Sequence, residues 1–242
     1  MAAAHSPTPR ECLENGRTTM RLRVLSVAIG LALALPDSSA GGVIRGTLRL
    51  PALAAKGAAA LNPYAGRASS LPNARPVPHG IVTDAVIYIE SLPPGVDSLL
   101  ARRDPRPRLS QKDQAFAPRV LPVAAGSTVD FPNLDPIYHN VFSPSPLKRF
   151  DLGKYPRGHS KSVSFGRPGV VNVYCDIHSD MEAFVLVLPN RAFTQPGAAG
   201  GFELPPLPNG RYTVRVWHPD FPEIRREVEV PAGGDVPLDL SF

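Results

Sequence analysis

Short runs of alternating hydrophobic and polar residues recur along the chain, and turns containing Gly or Pro separate them. This pattern is typical of β-structure, because successive side chains of a strand point to opposite faces of a sheet. The 29 Pro and 20 Gly residues among 242 also favour many short strands over helices. The sequence therefore predicts an all-β protein. The predicted strands cover residues 43–50, 84–90, 116–123, 128–133, 162–165, 171–175, 183–188, 201–204, 211–217, 227–230 and 236–240.

Two segments lack a sustained period. Residues 51–80 are rich in Ala, Pro, Asn and Ser, and they predict a long surface loop. Residues 91–113 are rich in Pro, Arg and Asp, and they predict a solvated loop, with a partner-docking patch as the alternative. After Pro189 the pattern changes to closely spaced strands and tight turns over roughly 50 residues, which is marginal for an independent domain. This C-terminal unit is therefore expected to pack on, or to take strands from, the N-terminal part.

The N-terminal region has the features of a secretory signal peptide. A basic start at residues 20–23 precedes an apolar run at 24–35, and Ser38 and Ala40 supply small residues at a cleavage site after Ala40. The apolar run is shorter than the roughly 20 residues that a membrane-spanning helix needs. We therefore predict a periplasmic or secreted product that has no membrane segment after signal removal. An upstream extension precedes this signal, so Met20 is an alternative start.

The charge of the chain indicates which classes of partner it suits. The chain carries 26 Lys and Arg against 21 Asp and Glu, without a long basic run, and this argues against a nucleic-acid partner. A basic cluster between Lys148 and Lys161 suits an acidic protein partner.

Cys12 lies before the cleavage site, so Cys175 is the one thiol of the mature chain. A lone Cys in an exported protein pairs between molecules, is reactive, or binds a metal.

A candidate metal-binding loop follows the predicted strand at 171–175. Cys175, His178 and Met181 are spaced three residues apart, and a thiolate, an imidazole and a thioether together suit copper. A copper site of this kind needs a second imidazole, for which His139 is the candidate and His159 and His218 are the alternatives. The competing interpretation is a buried Cys at a strand end with an incidental His and a core Met.

The span 116–188 resembles the cupredoxins, the type 1 blue copper proteins that include plastocyanin and azurin. The spacing within the ligand loop is similar to that of amicyanin, although Ile177 stands where amicyanin has Pro. The resemblance implies a Greek-key β-sandwich with one type 1 copper ion, in which His139, Cys175 and His178 are equatorial ligands and Met181 is the axial ligand. It also implies that Asn140 supports the Cys loop by hydrogen bonding. The likeness rests on Gly126-Ser127-Thr128-Val129, Asn133, Asp135, His139-Asn140-Val141, Val173-Tyr174-Cys175, His178 and Met181.

The C-terminal unit resembles the small transthyretin-like, or carboxypeptidase-regulatory, antiparallel β-sandwich. The likeness rests on residues 201–204, 208–212 and 216–218. An alternative is that strands from 41–90 complete this sandwich and that the copper domain is inserted between its strands. The expected divisions are an upstream extension and signal peptide at 1–40, a strand and loop at 41–80, a cupredoxin domain at 81–190 and a transthyretin-like unit at 191–242.

The resemblance implies a one-electron carrier between redox partners such as a c-type cytochrome and a dehydrogenase. A full coordination shell leaves no position for a substrate, so we do not expect an enzyme. A periplasmic copper-handling protein, for transport or storage, is one alternative. A cell-surface β-sandwich binding module with a structural copper site is another. An apolar rim around His178 is expected to contact the partner, and it is predicted to consist of Phe142, Pro144, Phe150, Ile177 and Met181.

Overall fold

The computed structural model describes residues 41–51, 80–100 and 106–242. The signal-peptide prediction at 1–40 and almost all of the loop prediction at 51–80 lie outside these residues. Within them β-strands dominate, so the all-β prediction is confirmed. None of the helices in the described ranges is long and apolar enough to cross a membrane.

The described residues form seventeen strands, one 3-10 turn and one short helix. The 3-10 turn is Val82–Asp84 and the helix α1 is Val96–Leu99. The strands are β1 (Ile44–Arg49), β2 (Val86–Ile89), β3 (Ser110–Lys112), β4 (Ala115–Ala117), β5 (Val120–Ala124), β6 (Ser127–Pro132), β7 (His139–Ser143), β8 (Phe150–Tyr155), β9 (Ser160–Phe165), β10 (Gly169–Tyr174), β11 (Glu182–Leu188), β12 (Phe193–Thr194), β13 (Gly201–Glu203), β14 (Gly210–His218), β15 (Phe221–Val230), β16 (Val236–Pro237) and β17 (Leu240–Ser241).

The first β unit contains a five-stranded sheet in the order β5-β11-β10-β7-β8 and the two strand pairs β6–β9 and β3–β4. Its core lies between them, because alternate residues of β10 and β11 pack with alternate residues of β6 and β9. Val171, Val173 and Cys175 are buried in this core, as the alternation in the sequence predicts. The β5–β11 pairing is parallel, and the other pairings of the sheet are antiparallel.

The second β unit combines strands from both ends of the described chain. One of its sheets has the order β12-β2-β14-β15, and the other has β1 between β13 and β16, with β17 also on β1. β2 pairs with β14, with Val86 opposite Trp217 and Ile89 opposite Val214. β1 and β2, from residues 41–90, therefore share sheets with strands of the C-terminal unit. β2, which follows residue 81, lies in the same sheet as β12, β14 and β15.

A third apolar cluster joins the two units. Leu186 and Leu188 lie on the face of β11 that is turned away from the core of the first β unit, and they pack with Val86 and Tyr88 of β2. Because alternate residues of β11 enter two different cores, this strand is buried on both faces.

β3, β8 and β15 are among the elements that differ from the sequence prediction. β8 lies in what was expected to be an irregular connection, and Gly153, inside it, has a left-handed φ of 64°. β3 occupies the end of the predicted loop at 91–113, where only Gln111 of the three strand residues is buried. β15 begins at Phe221 rather than at 227. The sequence prediction missed its first half because these residues form an exposed, charged sheet edge, where the apolar alternation is lost.

Candidate metal centre

Strand pairing brings three potential metal ligands to one end of the first β unit. His139 begins β7, Cys175 directly follows β10, and His178 lies in the loop between β10 and β11. β7 and β10 are antiparallel neighbours, so the start of β7 and the end of β10 lie at the same end of the sheet. This pairing places His139 beside a loop that is 36 residues away in sequence.

The three donor atoms are close enough to share one metal ion. The Nδ1 atoms of His139 and His178 lie 3.8 and 3.7 Å from Sγ of Cys175, and the two Nδ1 atoms are 3.1 Å apart. Ligands that bind one ion at about 2.0–2.3 Å in a trigonal arrangement are separated by roughly 3.5–4 Å. The two sulfur–nitrogen distances lie in this range and the nitrogen–nitrogen distance is shorter, so the donor set suits a small metal ion that accepts nitrogen and sulfur ligands once the two imidazoles move slightly apart.

A buried carboxylate orients His139. The imidazole is fully buried, and its Nε2 lies 2.8 Å from Oδ2 of Asp135. Burial alone would raise the pKa of Asp135, but hydrogen bonds from the Gln114 N–H, from His139 and from the Asp113 N–H hold that pKa below its usual value. The carboxylate is therefore charged, and in this position it can accept a hydrogen bond from an Nε2–H of His139. In the tautomer with the proton on Nε2, the Nδ1 lone pair of His139 is directed at Cys175 and His178.

His178 is the ligand candidate that reaches the surface. It is half-buried, whereas His139 and Cys175 are buried. Burial, followed by the neighbouring His139, lowers the pKa of His178 below its ordinary value. Its neutral form, which can bind a metal, is therefore favoured near neutral pH.

The loop after β10 is closed by backbone hydrogen bonds between the residues of the predicted ligand set. The N–H of Cys175 donates to the carbonyl of Met181 over 3.3 Å, and the N–H of Met181 donates to the carbonyl of His178 over 3.1 Å. The Met181 side chain is 1% exposed and packs in the same core cluster as Cys175. Asn140 is buried beside His139, but its Oδ1 has no hydrogen-bond partner, so its support of the Cys loop stays a prediction.

The alternative histidines lie elsewhere. His159 is exposed in the turn between β8 and β9. His218 is buried in the second β unit, where its Nε2 lies 3.0 Å from the carbonyl oxygen of Ile81 and its Nδ1 accepts from the N–H of Asp220 over 3.0 Å. Among the residues that the structure describes, His139 is thus the imidazole that accompanies Cys175 and His178.

Sequence reasoning missed the role of Asp135. Its position four residues before His139 was part of the resemblance, but nothing in the sequence showed that the carboxylate and the imidazole meet. An acidic residue a few positions before a candidate metal-binding His is the signal that could have found it, because such histidines usually donate their second N–H to a carboxylate or carbonyl.

The surface around the centre differs from the predicted apolar rim. Met181 is buried, and Phe150 packs against the rings of Phe131 and Phe165 at 5.8 and 6.2 Å, so both assignments to the rim were wrong. The exposed apolar residues that flank the ligands in sequence are Leu134, Ile137, Tyr138 and Ile177.

The predicted basic cluster is divided between the two ends of the first β unit. Tyr155 at the end of β8 lies opposite His139, so Lys154 and Arg157 are at the metal end. Lys148 and Arg149 precede β8 and lie at the opposite end. Only part of the cluster is therefore placed to contact a partner that approaches His178.

Comparison with known proteins gives limited likenesses. No family model and no curated protein matches the chain. A purple cupredoxin from Nitrosopumilus maritimus is similar at 22% identity and a TM-score of 0.31, over 35% of this chain and 99% of that one. A mutant of amicyanin with Cu(I) is similar at 20% identity and a TM-score of 0.33, over 42% and 97%.

A Cu-containing nitrite reductase from Thermus scotoductus SA-01 is similar at 24% identity and a TM-score of 0.33. The match covers 34% of this chain and only 22% of the reductase. At these TM-scores the likenesses carry no weight for function, and the candidate centre rests on its own geometry.

Proposed function

We propose that this chain is an exported type 1 copper protein that carries single electrons between redox partners. The observation that carries the proposal is the approach of two imidazole nitrogens and one thiol sulfur to within 3.8 Å of one another. His139, Cys175 and His178 would be the equatorial ligands, and Met181 the axial ligand. Copper, when bound there, supplies one-electron chemistry between Cu(I) and Cu(II), and this ligand set suits both states.

The burial of the centre favours electron transfer over copper handling. His139 is 0% exposed and Cys175 is 5% exposed, and both are held by neighbouring strands of one sheet. Ligands fixed in this way need little rearrangement when the charge of the ion changes. A protein that delivers copper to others needs an open site from which the ion exchanges, and two of these three ligands are closed off from solvent.

The exposed surface near His178 supports a protein partner. Leu134, Ile137, Tyr138 and Ile177 are large apolar side chains that remain 37–59% exposed around the ligand segments. A patch of exposed apolar side chains commonly marks a contact surface, and these four flank the candidate ligands in sequence. A redox protein such as a c-type cytochrome or a dehydrogenase would bind there and bring its cofactor close to the imidazole of His178.

Absorption and EPR spectra of the copper-loaded chain, starting at Gly41, test the proposal. We expect an intense visible band from thiolate-to-Cu(II) charge transfer, and its complete loss in Cys175→Ser, because a hydroxyl cannot supply that transition. His159→Ala is the matched control, since His159 lies outside the centre, and it should leave the band unchanged. A band that survives Cys175→Ser would refute the assignment.

Redox cycling and copper retention, measured together, distinguish electron transfer from copper handling. We expect repeated reduction by ascorbate and oxidation by ferricyanide with full retention of copper. Transfer of Cu(I) to a competing chelator on the same timescale, without a reversible redox couple, would favour the copper-handling function instead.

A further inference from the structure

A carboxylate connects the imidazole of His139 to the β3–β4 turn. We propose that Asp135 and this turn form one positioning unit, which holds His139 with its Nδ1 lone pair directed into the metal centre before any ion is bound. The identity of the ion rests on the proposed function, whereas the positioning itself is a property of the metal-free chain.

Three donors converge on the Asp135 carboxylate, which is 6% exposed. Oδ1 accepts from the N–H of Asp113 over 2.6 Å, and Oδ2 accepts from the N–H of Gln114 over 2.8 Å and from Nε2 of His139 over 2.8 Å. Only a carboxylate accepts on both oxygens. An amide at this position would turn its NH₂ group either towards the turn or towards His139, so at least one of the three hydrogen bonds would be lost.

The turn itself has an uncommon backbone. Asp113 and Gln114 have φ angles of 55° and 56°, in the left-handed region that residues other than Gly seldom adopt. The N–H groups of both residues donate to the carboxylate of Asp135. Left-handed conformations at two successive non-glycine residues persist where surrounding contacts fix them, and they occur often at functional sites.

A second set of contacts fixes the hairpin on the strand that faces His139. Gln111 of β3 is fully buried, and its Nε2 donates to the hydroxyl of Tyr155 over 2.7 Å. Tyr155 lies opposite His139 in the β7–β8 pairing. The N–H of Leu134 also donates to the carbonyl of Gln111 over 2.9 Å. These contacts form a closed network that runs from His139 through Asp135, the turn, Gln111 and Tyr155 back to His139.

This network of contacts has two consequences for His139. The hydrogen bond to Asp135 keeps the proton on Nε2, so Nδ1 is available to a metal without rearrangement. The carboxylate lies on the far side of the imidazole from a bound ion. Its negative charge would stabilise the more highly charged state of that ion through the imidazole. Loss of the carboxylate should therefore weaken Cu(II) binding more than Cu(I) binding.

The first test uses the metal-free wild-type chain. In ¹⁵N NMR spectra we expect His139 to be in the Nε2–H tautomer, and in hydrogen exchange we expect the amides of Asp113 and Gln114 to be protected. Exchange of both amides at the rate of an unprotected turn, or an Nδ1–H tautomer, would overturn the proposal.

Asp135→Asn is the second test. We expect either a roughly tenfold faster exchange of a turn amide or a change in the His139 tautomer, since one hydrogen bond must be lost. Asp130→Asn is the control, because Asp130 bonds Arg106 and Ser162 and contacts none of the candidate ligands. Gln114→Gly retains both N–H donors and should leave the tautomer unchanged. An Asp135→Asn protein with unaltered exchange and tautomer would contradict the proposal.

The copper-loaded protein gives an independent measure. In Asp135→Asn the affinity for Cu(II) relative to Cu(I) should fall about tenfold, which corresponds to a rise of about 60 mV in the one-electron potential. An unchanged potential would show that the carboxylate does not act on the ion. The NMR and exchange results come from metal-free protein, so they stand even if the charge-transfer band that tests the proposed function is absent.

Discussion

Replacing Arg119 with Met should destabilise the protein by about 3 kcal/mol, because the change leaves two poorly exposed carboxylates without their cation. The guanidinium of Arg119 donates to Asp84 over 2.8 Å and to Asp220 over 3.3 Å. The side chains of Arg119, Asp84 and Asp220 are only 9, 9 and 19% exposed. Arg119 directly precedes β5 of the first β unit, and Asp220 directly precedes β15 of the second, so this cluster joins the two units.

The size of the effect follows from burial. Removing one partner of a buried ion pair typically costs about 3–5 kcal/mol, because the remaining charge is left desolvated. We expect the lower end of this range for two reasons. Asp220 also accepts the N–H of Gly80 over 2.9 Å, and Met retains apolar contact with the Phe184 ring, over which the guanidinium lies at 5.4 Å.

Urea unfolding of the chain that starts at Gly41 measures this cost. With a slope of about 2 kcal/mol per molar urea, a loss of 3 kcal/mol lowers the midpoint by roughly 1.5 M. Arg211→Met is the matched control. Its ion pair with Glu229 is longer, at 3.7 Å, and both side chains are strongly exposed, so no measurable change is expected.

A combined variant tests whether unpaired charge is the cause. Arg119→Met together with Asp84→Asn and Asp220→Asn removes the cation and both carboxylates, and it should recover at least about half of the lost stability. A single variant with the wild-type midpoint would refute the reasoning. So would a combined variant that is no more stable than Arg119→Met alone.

Three further predictions concern the histidines and Met181. Met181→Leu should keep copper and its colour but raise the reduction potential, measured by voltammetry, because loss of a weak sulfur donor disfavours Cu(II) more than Cu(I). His139→Ala should lower copper affinity at least about tenfold and open the site to water, seen by chelator competition and EPR; an unchanged spectrum would exclude His139 as a ligand. Burial lowers the pKa of His218 below 6.5, so the unfolded chain takes up a proton that the folded chain does not. Stability should therefore fall as the pH drops below about 6.5, and His218→Gln should flatten this decline in urea unfolding at pH 5–7.

The candidate ligand loop could be identified in the sequence because its chemistry is local. Cys175, His178 and Met181 lie within seven residues, so their spacing is visible without any knowledge of strand pairing. The buried strands could also be predicted, since Val171 and Val173 alternate with less buried residues in register with the pleat. In both cases the interactions that decide the structure lie a few residues apart in sequence.

The rest of the centre depends on contacts between distant parts of the chain. His139 reaches Cys175 only because β7 and β10 are neighbours, and several pairings were compatible with the same alternation. The β3–β4 turn donates two hydrogen bonds to Asp135, which contacts His139, and β3 lies where the sequence predicted a loop. Long-range pairing is set by the whole sheet, so a sequence pattern can identify the candidate residues but cannot show that they meet.

The position of the second β unit bears on the proposed electron transfer. The chain leaves that unit after β2, forms the first unit between Arg106 and Leu188, and returns to it at β12, so both ends of the first unit are joined to the same sheet. β11 connects the ligand loop to this junction, with Val185 in the core that contains Cys175 and Leu186 in the cluster between the units. A strand packed on both faces has little freedom to move. We therefore expect the second unit to limit displacement of the strand that follows the ligand loop, which keeps the geometry around Cys175 the same in both oxidation states of a bound ion.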